Sequence, residues 1–137
     1  MKILRNILSI IVGCVVGGLV NMGLVMLGPY LIPPPSEADL TTMEGLKAAM
    51  EIMEPKHFLF PFLAHALGTL VGAFIAALIA ASHKKIFAMV IGVCFLVGGI
   101  LNIIMLPSPL WFTLLDLVVA YIPMGWLGGK LATLKRV

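Results

Sequence analysis

The chain has 137 residues, a length that fits one domain. Hydrophobic residues make up 61% of it and charged residues only 11%, whereas soluble domains contain about 25% charged residues. This composition excludes a water-soluble globule, so we expect a single integral membrane domain, residues 1–137, with the lipid bilayer as its surroundings. The net charge of +3 is carried at the ends of apolar segments and not by a polar, aromatic-rich stretch, so we expect no nucleic-acid partner.

Four apolar segments have about the 20 residues that a helix needs to cross the hydrocarbon core of a bilayer. They predict membrane-spanning helices over about 7–31, 58–81, 86–106 and 110–131. The first segment is longer than the apolar part of a signal peptide, so we expect it to be retained. The sequence therefore predicts an all-α, four-helix transmembrane bundle made of two tandem helix hairpins.

The basic residues predict the orientation of this bundle. In a four-span arrangement most of them fall on one side, which the positive-inside rule assigns to the cytoplasm. We therefore expect both termini in the cytoplasm and a bacterial inner membrane as the location. The residues on that side are Lys2, Arg5, Lys84, Lys85, Lys130, Lys135 and Arg136.

The first segment continues into a polar stretch that predicts an amphipathic helix. Pro33, Pro34 and Pro35 end the first helix, and Ser36 is a candidate N-cap. Apolar and polar residues then alternate at helical spacing over about 36–54. We expect this helix to lie on the outer membrane surface or over the mouth of the bundle.

A five-residue motif, Gly-Gly-x-x-Asn, occurs in the first and third segments, at Gly17–Asn21 and Gly98–Asn102. The two segments run in the same direction in a four-span bundle, so we interpret the motif as the mark of a parallel internal repeat. Chance similarity between Gly-rich apolar helices is the alternative. At helical spacing the motifs extend into two stripes, Ser9, Gly13, Gly17, Asn21 and Val90, Cys94, Gly98, Asn102.

Small residues every four positions allow membrane helices to approach closely. The second segment has Gly68-x-x-x-Gly72 and the fourth has Gly125-x-x-x-Gly129. These faces favour a homo-oligomer, a dimer or larger, or assembly with other membrane subunits. The glycines that we expect at helix interfaces are Gly13, Gly17, Gly18, Gly68, Gly72, Gly98, Gly99, Gly125 and Gly129.

Four polar residues within the spans are candidates for a functional site. With a rise of about 1.5 Å per residue, Asn21, His65, Asn102 and Asp116 all lie roughly 6–10 Å below the outer membrane boundary. A carboxylate in lipid needs a partner, and His65 is the natural one for Asp116. The functional interpretation is a proton-responsive or cation-binding site reached from outside, and the alternative is a hydrogen-bond network that fixes helix register. Nearby polar residues complete the candidate site: Thr69, Thr113 and Tyr121.

Sulfur ligands offer a metal-binding alternative. Met22-x-x-x-Met26 beside glycine-spaced helices resembles the layout of copper-uptake channels, a resemblance limited to that spacing. It implies a copper(I) site at Met22, Met26 and Met105, since thioethers are soft ligands. Methionine is also an ordinary core-filling residue, and Cys14 and Cys94 fit helix packing. Our principal expectation is therefore no bound metal and no cofactor.

Common catalytic and nucleotide-binding motifs are absent from the sequence, so we do not expect an enzyme. An intramembrane enzyme built on Asp116 and His65 is the remaining catalytic possibility. The first functional hypothesis is a small transporter or channel-like protein with an outward-facing polar site. The second is a non-transporting packing or assembly subunit of a larger membrane complex.

Overall fold

The computed structural model describes residues 1–134, and within them the chain is helical, with no β-strand. A 3-10 turn, Pro55–Phe58, leads from the connecting loop into the third helix. The α-helices are α1 (Lys2–Leu31), α2 (Met43–Ile52), α3 (Leu59–Ile79), α4 (Lys84–Met105), α5 (Leu110–Val119) and α6 (Ile122–Thr133).

Within the described residues, four helical segments are long and apolar enough to cross a membrane: Lys2–Leu31, Pro55–Ile79, Lys84–Met105 and Leu110–Thr133. The last of them consists of α5 and α6 together. The predictions of an all-α protein with four segments that can span a membrane, and of a membrane-embedded chain, are therefore confirmed. Lys135 and Arg136, which contributed to the predicted orientation, lie outside the described residues.

Helix α3 lies at the centre of the bundle and contacts α1, α4 and α6. Its residues Gly68, Gly72 and Ala76 are buried and recur every four positions, so they form one face. A Cβ on Gly17 of α1 would lie 2.6 Å from the carbonyl oxygen of Gly68, and one on Gly13 would lie 2.8 Å from that of Gly72. Side chains do not fit between these backbones, so the close approach of α1 and α3 depends on glycine.

The two Gly-Gly-x-x-Asn motifs do not occupy equivalent positions. In α1 the first glycine, Gly17, packs against α3, whereas Gly18 has no atom within 4 Å of the place of a Cβ. In α4 the order is reversed: Gly98 has no such neighbour, whereas a Cβ on Gly99 would overlap Tyr121. Consecutive helical residues point about 100° apart, so only one of each pair faces a given neighbour. Gly18 and Gly98 therefore do not pack against another helix of the described part of this chain. Their place at a helix interface stays a prediction, and so does the internal repeat.

Helix α4 packs against α6 through a different set of small residues. A Cβ on Gly125 would lie 3.1 Å from the Cα of Gly92, and one on Gly129 would lie 2.8 Å from the Cβ of Ala88. Gly92 and Ala88 were not among the predicted interface residues, because neither belongs to the glycine motif. The packing face of α4 is therefore rotated away from the predicted stripe.

The fourth span is broken after Val119, and α6 begins at Ile122. Pro123 has no N–H to donate to the carbonyl of Val119, and its ring disfavours a continuous helix. The break falls in the turn that precedes Pro123. It places Tyr121 between two helices, where its side chain is almost completely buried.

Helix α2 is shorter than the predicted 36–54, because a polar turn precedes it. Thr41 donates to Oδ1 of Asp39 from its backbone N–H at 2.8 Å and from its hydroxyl at 2.6 Å. Thr42 then forms the N-cap in place of the predicted Ser36, accepting from the N–H of Gly45 at 3.0 Å. The hydrogen bonds from Thr41, with a further one from Thr42, lower the pKa of Asp39.

Candidate ligand-binding cavity

A cavity of about 710 Å³ lies in the half of the bundle that carries α2. It is bounded by α1, the beginning of α3, the second half of α4 and α5, and residues of α2 close it on one side. Its size is within the range of about 300–1,000 Å³ that is typical of small-molecule sites. Much of its lining is apolar, including the aromatic rings of Phe58, Phe60, Phe95 and Phe112.

Asp116 lies at the base of this cavity between two hydrogen-bonding side chains. The Nδ1 atom of His65 is 2.9 Å from both carboxylate oxygens, and the hydroxyl of Tyr121 donates to Oδ2 at 2.8 Å. Asp116 is 2% exposed and Tyr121 is 1% exposed. A buried carboxylate is thus held on both oxygens, and the neighbouring His65 and Tyr121 rings stack with their centroids 5.8 Å apart.

An ionised Asp116 requires a hydrogen on Nδ1 of His65, because a carboxylate only accepts, and Nε2 is then the atom that can take a second one. The pair of Asp116 and His65 therefore has one net negative charge with a single proton and none with two. This change of charge occurs within an apolar surrounding, where it strongly affects the binding of charged species.

The broken fourth span makes this arrangement possible. Asp116 is in the last turn of α5, and Tyr121 follows it by five residues, after the helix has ended. In a continuous helix these two side chains would point about 140° apart. The break turns the Tyr121 side chain back to the carboxylate, and Gly99 of α4 leaves the room that the phenol ring occupies.

Both predicted asparagines line the cavity. The side-chain Oδ1 atom of Asn21 is buried and has no hydrogen-bond partner among the described residues. Asn21 packs directly on Gly68, where a Cβ would lie 2.9 Å from the Cβ of Asn21. Since Gly68 is one turn beyond His65 on α3, Asn21 lies near the base of the cavity, whereas Asn102 is exposed.

The two predicted threonines lie outside this group. The Thr69 hydroxyl donates to the backbone carbonyl of His65 at 2.7 Å, within α3. The Thr113 hydroxyl lies 2.8 Å from that of Ser108, in the connection before α5. The structure therefore joins His65, Asp116 and Tyr121 directly, and uses Thr69 and Thr113 for local contacts of the backbone and loop.

The three methionines of the copper alternative are not brought together in the cavity. Met22 lines it, but Met26 and Met105 are 64% and 57% exposed and are not part of the lining. Among the described residues, no group of three or more His, Cys, Asp or Glu is placed to hold a metal ion. Of the three methionines of the copper(I) alternative, the cavity lining therefore contains Met22 alone; the other methionines in the lining are Met50 of α2 and Met53.

The ionisable residues that line the cavity include one carboxylate and, among the described residues, no Lys or Arg. Asp116 is therefore the source of negative charge in the cavity. A second proton on the Asp116–His65 pair neutralises this charge. The ionisable lining residues are Cys14, His57, His65, Cys94, Asp116 and Tyr121.

His57 fastens the rim of the cavity. Its Nδ1 accepts from the backbone N–H of Glu54 at 2.9 Å, so Nε2 carries the hydrogen and donates to the carbonyl of Pro33 at 3.1 Å. These two bonds join the 3-10 turn to the segment that follows α1. These bonds therefore join the two ends of the loop that bears α2.

Several lining residues were not identified as site residues from the sequence. Leu46 and Met50 lie on the apolar face of α2, so its amphipathic pattern could have indicated them. Cys14 and Cys94, which we assigned to helix packing, both line the cavity. No spacing signal marks Phe95, whose position depends on how α4 is rotated against α1.

Comparison with known proteins gives no match for this chain, whether with protein-family models, curated proteins or solved structures.

Proposed function

We propose that the chain is a small polytopic membrane protein of the transporter or channel kind. Asp116 and His65 form its intramembrane site for a proton, a cation or a small polar ligand. One observation supports this proposal above the others: Asp116, although it is only 2% exposed, is among the residues that line a cavity of about 710 Å³. Ionisable groups are costly at this depth, and their presence beside a cavity favours function over packing.

The site offers two charge states to a ligand. With one proton shared by Asp116 and His65 the base of the cavity is negative, and with two protons it is neutral. Tyr121 donates to the carboxylate in either state, which holds it in place while His65 gains or loses a proton. Binding of a charged ligand is therefore coupled to proton binding in this proposal.

The proposed orientation places the cavity on the outer side of a bacterial inner membrane. Arg5 donates to the carbonyl of Ile79 at 2.6 Å, and Lys84 donates to that of Leu78 at 3.4 Å. These contacts gather the N-terminus and the α3–α4 turn at the end of the bundle opposite to α2. The positive-inside rule assigns that end to the cytoplasm.

The alternative proposal is a non-transporting assembly subunit, which one observation favours. The face of α4 formed by Cys94, Gly98 and Asn102 is exposed, and hydrocarbon does not satisfy an amide. A second copy or another membrane subunit would cover it. In this case Gly68→Leu or a similar disruption of packing should impair function far more than Asp116→Asn.

Thiol labelling tests the first proposal against the second. Cys14 and Cys94 are the two cysteines of the chain and both line the cavity. We would use the Cys14→Ala variant and add a membrane-impermeant methanethiosulfonate to right-side-out and to inverted membrane vesicles. A matched control is Val93→Cys in a variant without Cys14 and Cys94, because Val93 is exposed beside Cys94 but does not line the cavity.

The proposal predicts that Cys94 reacts from the outer side only and that the control cysteine, which faces lipid, reacts from neither side. Reaction from the inner side would reverse the proposed orientation. An unreactive Cys94 on both sides would show that water does not reach the cavity, and would favour the assembly subunit.

A further inference from the structure

We infer that the cavity binds an amphiphilic organic cation, an ammonium group with at least one N–H on an apolar body, and that this ligand and a second proton on the Asp116–His65 pair exclude each other. The inference rests on the proposed function, since it names the ligand class of the same site.

The volume of the cavity argues for an organic molecule. About 710 Å³ is room for more than 20 water molecules at roughly 30 Å³ each. A proton or a bare metal ion would leave most of this volume as water against apolar walls. An apolar body of drug-like size removes that surface from water and is stabilised by about 25 cal/mol for each Å² buried.

The walls are suited to a cation on an apolar body. Phe58, Phe60, Phe95 and Phe112 present aromatic rings to the cavity, and Met22 and Met50 present polarisable thioethers. The electron-rich faces of aromatic rings attract ammonium groups, most strongly where water is excluded. An anionic ligand would meet these faces and the Asp116 carboxylate with no Lys or Arg in the described lining to offset them.

The base of the cavity provides the charge that selects the ligand. Asp116 faces His65 from α3 and Tyr121 from the α5–α6 break, while Cys14 of α1, Cys94 of α4 and His57 are the other ionisable lining residues. Only His65 and His57 can become cationic, and His57 is held at the rim by Glu54 and Pro33. A negative charge at the base is therefore neutralised either by a second proton on the pair or by a cationic ligand.

Asn21 specifies a hydrogen-bond donor on that ligand. Its Oδ1 atom is buried without a partner among the described residues, and buried acceptors in proteins are nearly always satisfied. Asn21 lines the cavity and packs on Gly68, three residues after His65 on α3, so we infer that its Oδ1 atom turns to accept an N–H from an ammonium group bound near Asp116. A quaternary ammonium, which has no N–H, would leave this acceptor unsatisfied.

The test compares two probes of almost equal shape, 4-phenylbutylamine and 4-phenylbutanol. The amine is a cation with N–H donors, and the alcohol is its neutral counterpart. Binding is measured with the Cys14→Ala protein in lipid nanodiscs, as protection of Cys94 from a methanethiosulfonate reagent. Each labelling rate is normalised to the rate without probe at the same pH, and empty nanodiscs give the partitioning of the probes into lipid.

At about pH 8, we expect the amine to bind at least about tenfold more tightly than the alcohol. At about pH 5.5 the affinity for the amine should fall about tenfold and that for the alcohol should not change. Asp116→Asn should abolish the preference for the amine and keep binding of the alcohol.

Equal affinity for the two probes, a preference that survives Asp116→Asn, or no pH dependence would each overturn the inference. The probe and pH comparisons made in the Cys14→Ala protein do not depend on whether the Asp116→Asn variant folds. If Cys94 reacts from the outer side of membrane vesicles and neither probe protects it in nanodiscs, the ligand class is wrong and the proposed function stands. If Cys94 does not react from outside at all, the proposed function and the inference both fail.

Discussion

The exchange of Gly99 for alanine perturbs the candidate site through the room that α4 leaves for Tyr121. A Cβ at this position would overlap the Tyr121 hydroxyl and lie 2.9 Å from Cε2 of the same ring. The ring is 1% exposed and has little space to retreat. The phenol must therefore move, and the 2.8 Å hydrogen bond to Oδ2 of Asp116 is lost.

The expected loss of stability follows from three contributions. A hydrogen bond to a charged group contributes about 1.5–3 kcal/mol, and forcing a methyl group into filled space costs about 1–3 kcal/mol. Alanine is favoured over glycine within a helix by about 1 kcal/mol, which offsets part of this loss. Gly99→Ala should therefore lower the free energy of unfolding by about 1.5–5 kcal/mol.

Gly98→Ala is the matched control, because it makes the same exchange one residue earlier, where no atom lies within 4 Å of the new Cβ. It should leave the free energy of unfolding unchanged or raise it by up to about 1 kcal/mol. Both variants are compared with the wild type by reversible unfolding in mixed micelles, followed by circular dichroism. Equal stability of the two variants would refute the orientation of α4 in which Gly99, and not Gly98, faces Tyr121.

Three further outcomes are expected. Tyr121→Phe removes only the hydroxyl that donates to Asp116 and should reduce the free energy of unfolding by about 1.5–3 kcal/mol. A double-mutant cycle with Asp116→Asn should show a smaller effect of Tyr121→Phe when Asp116→Asn is already present. Gly17→Ala should destabilise the protein, because its Cβ would lie 2.6 Å from a carbonyl oxygen of α3, and a wild-type unfolding curve would contradict the α1–α3 contact. Thr41→Ala removes the hydroxyl that lowers the pKa of Asp39, so carbon NMR should show that pKa rising toward its ordinary value. Because the folded pKa is lowered, the contribution of this turn to stability is present above about pH 4 and is lost as the pH falls through the folded value; an unchanged titration of Asp39 would exclude the role assigned to the hydroxyl.

The spans were predictable because the length and composition of an apolar segment are local properties of the sequence. Counting residues also placed His65 and Asp116 at similar depth, and the structure brings the two side chains together. Pro123 marked where the fourth span breaks, since a missing N–H is visible in the sequence.

The rotation of each helix about its axis was not predictable, because it depends on contacts between segments distant in sequence. Depth alone therefore grouped Thr69 and Thr113 with the site, although their hydroxyls bond elsewhere. The same limit explains why Gly98 was expected at an interface and Gly92 was not. The start of α2 was misplaced because the hydrogen bonds of Asp39 with Thr41 favour a turn over a helix at that point.

The most direct test of the account is nitrogen NMR of histidine-labelled protein in bilayers as the pH of the outer solution is changed. The chain has three histidines, so the His65 signals can be assigned with single substitutions. The account predicts that His65 responds to the outer pH and that its titration curve differs between the wild type and Asp116→Asn, because the carboxylate lies 2.9 Å from Nδ1. Identical curves, or a His65 that does not respond to the outer solution, would contradict a site formed by this pair and reached from outside.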